Sequence, residues 1–141
     1  MPGTDVKLDL IRNVPIFATC NRRDIKQIGA LAELVELPAG QVIVRQGATG
    51  HEFFVVAEGA LRVERDGRVI NRLGPGEFAG EIALIDGGPR TASVVVDVPS
   101  TVLLMGHREF HSLLERYPSI QLKILQVLAK RVRATNPESI D

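Results

Sequence analysis

Between residues 33 and 106 the apolar residues of this chain stop recurring every three to four positions and begin to alternate, and that change of period removes most folds from consideration. The clearest piece is "ALRVERDGRVINRL" (60–73), where Leu61 and Val63 alternate with Arg62 and Glu64, Asp66-Gly67 follows, and "RVINRL" resumes the run. Asp-Gly between two such runs predicts a two-residue hairpin, because both central residues of a type I′ turn need positive φ. Around it lie "ELVEL", closed by Pro38-Ala39-Gly40, then "QVIVRQG", "EFFVVAEG", "SVVVDV" and "TVLLM", the last two split by Pro99-Ser100. Turn residues return about every eight to twelve positions, which predicts roughly eight strands in a sandwich, jelly roll or barrel.

Helical periods bracket the strands. Leu8, Ile11 and Val14 are spaced by three before Pro15 breaks the pattern. Asn21 is placed to cap a second helix, with Asp24 in its first turn and Ile25, Ile28 and Leu31 as its apolar stripe. After the strands, Phe110, Leu113, Leu114 and Tyr117 follow the i, i+3, i+4, i+7 spacing. Pro118 stops that helix and opens another that carries Ile120, Ile124, Leu125, Val127, Leu128 and Val132. This stripe is wide enough to pack on the strands and still face a partner helix, including one from a second copy. The expected organisation is a single domain over 1–141, with N-terminal helices at 1–32, strands at 33–106 and C-terminal helices at 107–135.

Several function classes are disfavoured. Lys plus Arg equals Asp plus Glu at 17 each, so bulk charge gives no case for DNA or RNA. Five Phe, one Tyr and no Trp are too few for a base-stacking surface. The lone Cys20 makes no internal disulfide and reads as a packed thiol. His107 and His111 stand four apart on a helix, but His51 lies in a loop and no third ligand is evident, so no metal is expected. Lys123, Lys130, Arg131 and Arg133 read as a solvated basic face, with contact to an acidic partner as the alternative. No nucleophile–base or carboxylate pair is suggestively spaced, and the chain is not expected to be an enzyme. No apolar run approaches the ~20 residues of a membrane span and no signal peptide opens the chain, so a cytoplasmic protein is expected.

One stretch departs from the strand pattern: "GEFAGEIALIDGGPRTASV" (76–94). Gly74, Gly76 and Gly80 permit tight bends and close approach of a ligand to the backbone. "EIALI" (81–85) suits a single helical turn, whose free N–H groups favour an anion. Gly87-Gly88-Pro89 ends the turn, and Arg90 can fold back to offer a bidentate fork to phosphate oxygens. Glu81 would repel a phosphate, but as an acceptor it suits a ribose hydroxyl. The set implies a nucleotide whose phosphate lies close to its own ribose hydroxyl.

That stretch resembles the phosphate-binding cassette of the cyclic nucleotide-binding domain family, which includes bacterial cyclic AMP receptor proteins, regulatory subunits of cyclic AMP-dependent kinase and gated channels. "AGQVIVRQGATGHEFFVVAEGALRVER" is similar to the family's second to fourth strands, with Gly47 and Gly59 at its turn glycines, and "FHSLLERYPSI…LAKRV" to its two C-terminal helices. The resemblance implies a mainly β fold with flanking α-helices: an eight-stranded antiparallel, jelly-roll-like β-roll with a cassette at 76–93 that includes a short helix. It implies that the amides of Gly80, Glu81, Ile82 and Ala83 hold the cyclic phosphate, that Glu81 accepts from the 2′-hydroxyl, that Arg90 pairs with the exocyclic oxygens and that Thr91 contacts the phosphate or a guanine edge. "LAKRVRATN" is similar to the stretch that meets the adenine, which places Arg131, Thr135 and Asn136 near the base. Ala79 departs from the family, standing where many members carry a bulky Phe or Ile.

The function implied is a sensor of cAMP, with cGMP as the alternative base, that repositions its C-terminal helices for an effector protein or a second copy, without direct DNA or membrane binding. Replacing Arg90 is expected to abolish binding and leave the fold intact, its partner being the ligand. Two other readings stand beside it. One is a degenerate roll whose arginine pairs with Glu81 and which serves interaction or dimerisation. The other is a small roll-type enzyme.

Overall fold

The computed structural model describes residues 2–81 and 87–135. Helix α1 (Pro2–Arg12), a 3-10 turn (Pro15–Phe17) and α2 (Arg22–Leu31) precede the strands. Asn21 caps α2 reciprocally: its Oδ1 accepts from the Asp24 amide at 2.9 Å, and Asp24 Oδ2 accepts from the Asn21 amide at 3.1 Å. Eight strands follow among the described residues: β1 (Glu33–Leu37), β2 (Val42–Val44), β3 (Glu52–Glu58), β4 (Leu61–Arg65), β5 (Arg68–Leu73), β6 (Phe78–Ala79), β7 (Ser93–Val96) and β8 (Ser100–Gly106). Helices α3 (His107–Arg116) and α4 (Pro118–Thr135) close the described chain. The predicted helix turn of the cassette falls on residues that, beyond Glu81, lie outside the described ones.

The strands form two antiparallel four-stranded sheets, ordered β1-β8-β3-β6 and β2-β7-β4-β5. The hairpin β4–β5 turns at Asp66 (φ 53°) and Gly67 (φ 78°), between the paired Arg65 and Arg68, as the Asp-Gly signal requires. The first sheet is a middle layer. Phe53, Val55, Phe78, Leu103 and Met105 face the helices, where they meet Ile11, Phe17, Ile25, Ile28, Phe110, Leu113, Ile120 and Ile124. Phe54, Val56, Ala79 and Val102 face the second sheet and pack on Leu61, Leu73, Val94 and Val96. Burial on both faces explains why "FFVV" is apolar without alternation. Phe53 stacks on Phe110 at 4.4 Å between ring centres and tilts against Phe78 at 5.6 Å, so the strand that leads into the cassette is anchored to α3. No helix among the described residues is long and apolar enough to cross a membrane.

Candidate ligand-binding site

Arg90 lies on the return segment of the cassette, just before β7, and its side chain is buried, with 5% of the residue exposed. A guanidinium that deep must be hydrogen-bonded. Its Nη1 donates to the Gly80 carbonyl at 2.9 Å and its Nη2 to the Glu52 carbonyl at 2.8 Å. Its backbone is clasped by the loop before β3: the Arg90 amide donates to Ala48 O, and the Gly47 amide to Arg90 O. Two glycines make room for it. A Cβ on Gly50 would stand 1.8 Å from Arg90 Nε, and Gly80, at φ +97°, would place one 2.5 Å from Glu52 O. Burial lowers the Arg90 pKa, against the pull of the Glu52 and Glu81 charges. The β4–β5 turn braces the segment from the other side. Arg65 Nε donates to Thr91 O at 3.0 Å, Gln46 exchanges two hydrogen bonds with Asp66, and the Gln46 amide donates to Ser93 Oγ.

Glu81 follows Gly80 and is 2% exposed. Its Oε1 accepts from Arg131 Nη1 at 3.0 Å, and its Oε2 is buried with no hydrogen-bond partner among the described residues. Burial pushes the Glu81 carboxyl above the usual carboxylate range, opposed by its own amide and by the Arg131 and Arg90 charges. Arg131 reaches in from α4. Its Nη2 donates to Phe78 O at 2.7 Å, and its guanidinium carbon lies 4.7 Å from the centre of the Phe78 ring. A buried cation and a buried carboxylate thus lie side by side in the chain's folding, yet no ion pair joins Arg90 to Glu81 among the described residues. Such a site offers N–H donors to an anion and a carboxylate oxygen to a hydroxyl.

The structure brings Gly80, Glu81, Arg90 and Arg131 together. Thr91 is next to them but exposed, its carbonyl held by Arg65. Ile82, Ala83 and Asn136 lie outside the described residues, and Thr135 is described only as the last residue of α4. Two expectations change. Arg90 is no spare group awaiting a ligand, because its guanidinium already donates to the backbone carbonyls of Gly80 and Glu52. Arg131 does not belong to a solvated face: its side chain is 27% exposed and spans from α4 to Glu81 and Phe78. Two participants went unread, Gly50 and Glu52, although Gly50 falls in a loop already marked by Gly47. His107 and His111 sit with ring centres 4.4 Å apart, and no group of three His, Cys, Asp or Glu among the described residues is placed to hold a metal.

Residues 34–117 match the family model described as the cyclic nucleotide-binding domain. The chain is 32% identical over 118 residues to the Pycsar effector protein XpPycTIR of Xanthomonas perforans, covering 82% of this chain and 39% of that protein. It is 26% identical over 138 residues to the CRP-like cAMP-activated global transcriptional regulator of Mycobacterium tuberculosis, covering 94% of this chain and 62% of that one. The crystal structure of the Thermus thermophilus catabolite activator protein superposes with a TM-score of 0.78 at 29% identity, over 88% of this chain and 61% of that one. The chain spans 39% and 62% of the lengths of these two curated relatives. It belongs to the cyclic nucleotide-binding domain family, and its fold is that family's β-roll.

Proposed function

We propose that this member of the cyclic nucleotide-binding domain family is a regulatory module, not an enzyme, that binds a cyclic nucleotide, cAMP in preference to cGMP. The observation that carries the reading is the Oε2 of a 2% exposed Glu81, without a hydrogen-bond partner among the described residues and one residue from the carbonyl that holds Arg90. A buried carboxylate oxygen asks for a hydroxyl donor, and the neighbouring guanidinium fork retains N–H groups for an anion. A phosphate joined to its own ribose supplies both. The amides at the head of the cassette, from Gly80 through Ile82 and Ala83, complete the phosphate cradle, with Thr91 beside it. Adenine is preferred here because a relative over nearly the whole chain is a cAMP-activated regulator.

Arg131 ties α4 to the cassette through Glu81, so any shift of the cassette is felt by that helix. The base would be met by Arg131, Thr135 and Asn136, as the resemblance implies. The response is a population shift between two packings of α4, driven by the ligand's greater affinity for one of them. Leu122 and Leu125, each more than half exposed on α4, are where an effector or a second copy would read it.

The test is calorimetric titration of the folded chain with cAMP and cGMP, alongside Arg90→Lys, which keeps the charge but not the fork. Saturable binding that weakens at least about tenfold in the variant supports the reading. A folded wild-type chain that binds neither nucleotide overturns it and turns attention to the interaction-module alternative.

A further inference from the structure

Glu52 serves Arg90 through its backbone carbonyl, but its side chain does something separate. The carboxylate lies 3.7 Å from Arg90 Nη2, with its side chain 50% exposed against 4% for the guanidinium. The His51 amide donates to the same oxygen, Oε2, at 3.3 Å and holds it there. Gly50 and Gly80 enclose the fork with backbone, and Glu52 is the exposed group among the described ones that touch it. A buried cation therefore has a half-exposed carboxylate beside it.

We propose that Glu52 is a resident anion that competes with the ligand's phosphate for Arg90, and so sets the affinity of the site and its dependence on salt. The inference rests on the reading that Arg90 takes a phosphate. In the free chain the carboxylate offsets the charge of a guanidinium that water barely reaches. In the bound chain it faces a second anion at short range and must swing outward. Its half-exposed position makes that motion easy and also lets salt screen the repulsion.

The test uses Glu52→Gln, which keeps the backbone carbonyl, the side-chain length and the fold while removing the charge. Binding of cAMP is measured for both chains at about 50 mM and about 500 mM salt. The variant is expected to bind roughly three- to tenfold tighter at low salt, with the gap narrowing at high salt. Equal affinities at low salt, or weaker binding by the variant, overturn the competition while leaving nucleotide binding in place. Binding by the variant alone supports it. Binding by neither chain overturns this inference and the function it rests on together.

Discussion

Replacing Arg131 by methionine takes the cation off a buried carboxylate while leaving a long apolar stem over the Phe78 ring. Lost are the 3.0 Å bond to Glu81 Oε1 and the 2.7 Å bond to Phe78 O. Breaking a fully buried pair costs about 3–5 kcal/mol. Arg131 keeps 27% side-chain exposure, so water partly replaces it, and about 2–3 kcal/mol is expected. For a chain of this size the melting temperature falls by roughly 5–10 °C. The dependence on pH separates this effect from lost packing. Because burial raises the Glu81 pKa, the native state holds that proton more tightly than the unfolded chain. The group's contribution to stability is then fully present below the unfolded pKa and is lost as pH rises through the folded one. Arg131 opposes the upward shift, so removing it raises the folded pKa further. The stability gap between wild type and Arg131→Met is therefore widest at neutral pH and narrows as acid protonates Glu81. Urea denaturation of both chains, followed by circular dichroism from about pH 5 to pH 7.5, reads the gap directly. A gap that is constant across that range, or a variant as stable as wild type at neutral pH, refutes the reasoning. Glu81→Gln in both backgrounds completes the cycle, and with a neutral partner most of the arginine's effect should vanish.

Gly50→Ala forces a methyl into the space of Arg90 Nε, 1.8 Å away, so the fork must move. Stability should drop by about 1–3 kcal/mol and nucleotide affinity by tenfold or more; an unchanged isotherm would show that the placement of the fork is unimportant. The 2′-deoxy form of the nucleotide lacks the donor proposed for Glu81 Oε2 and should bind about ten- to a hundredfold more weakly. Equal affinity of the two forms, measured by the same titration, would remove Glu81 from the ribose contact.

What could be read in the sequence was what is decided locally. Asp66-Gly67 dictates its own dihedral angles, and Asn21 caps α2 from three residues away, so both were legible. Glu81 and Arg90 were legible because they share one short glycine-rich segment. Glu52 reaches Arg90 across 38 residues through the placement of β3 beside β6, and nothing near Glu52 in the sequence signals it. The polar residues of α4 look alike on paper. The resemblance of "LAKRVRATN" marks Arg131 but not its bonds to Glu81 and to the Phe78 carbonyl, which depend on how that helix turns against Phe78, 53 residues earlier. Its near neighbour Arg133 is exposed, and periodicity alone does not separate the two.

The two oxygens of Glu81 are in different situations, and that difference fixes the direction of coupling. Oε1 is held by Arg131, while Oε2 is buried without a partner among the described residues, at a cost of about 1–3 kcal/mol to the free chain. A ribose hydroxyl on Oε2 would remove that cost without displacing Arg131. Ligand and helix contact would then reinforce each other, since each favours a charged, well-placed carboxylate. By linkage, whatever the nucleotide adds to the hold of Arg131 on Glu81, Arg131 must add to the hold of Glu81 on the nucleotide. An anion without a hydroxyl would engage Arg90 and leave Glu81 as it is, filling half the site without biasing α4. If the proposed contacts hold, a ligand carrying both phosphate and hydroxyl would engage Arg90 and, through its hydroxyl, the carboxylate that α4 also holds.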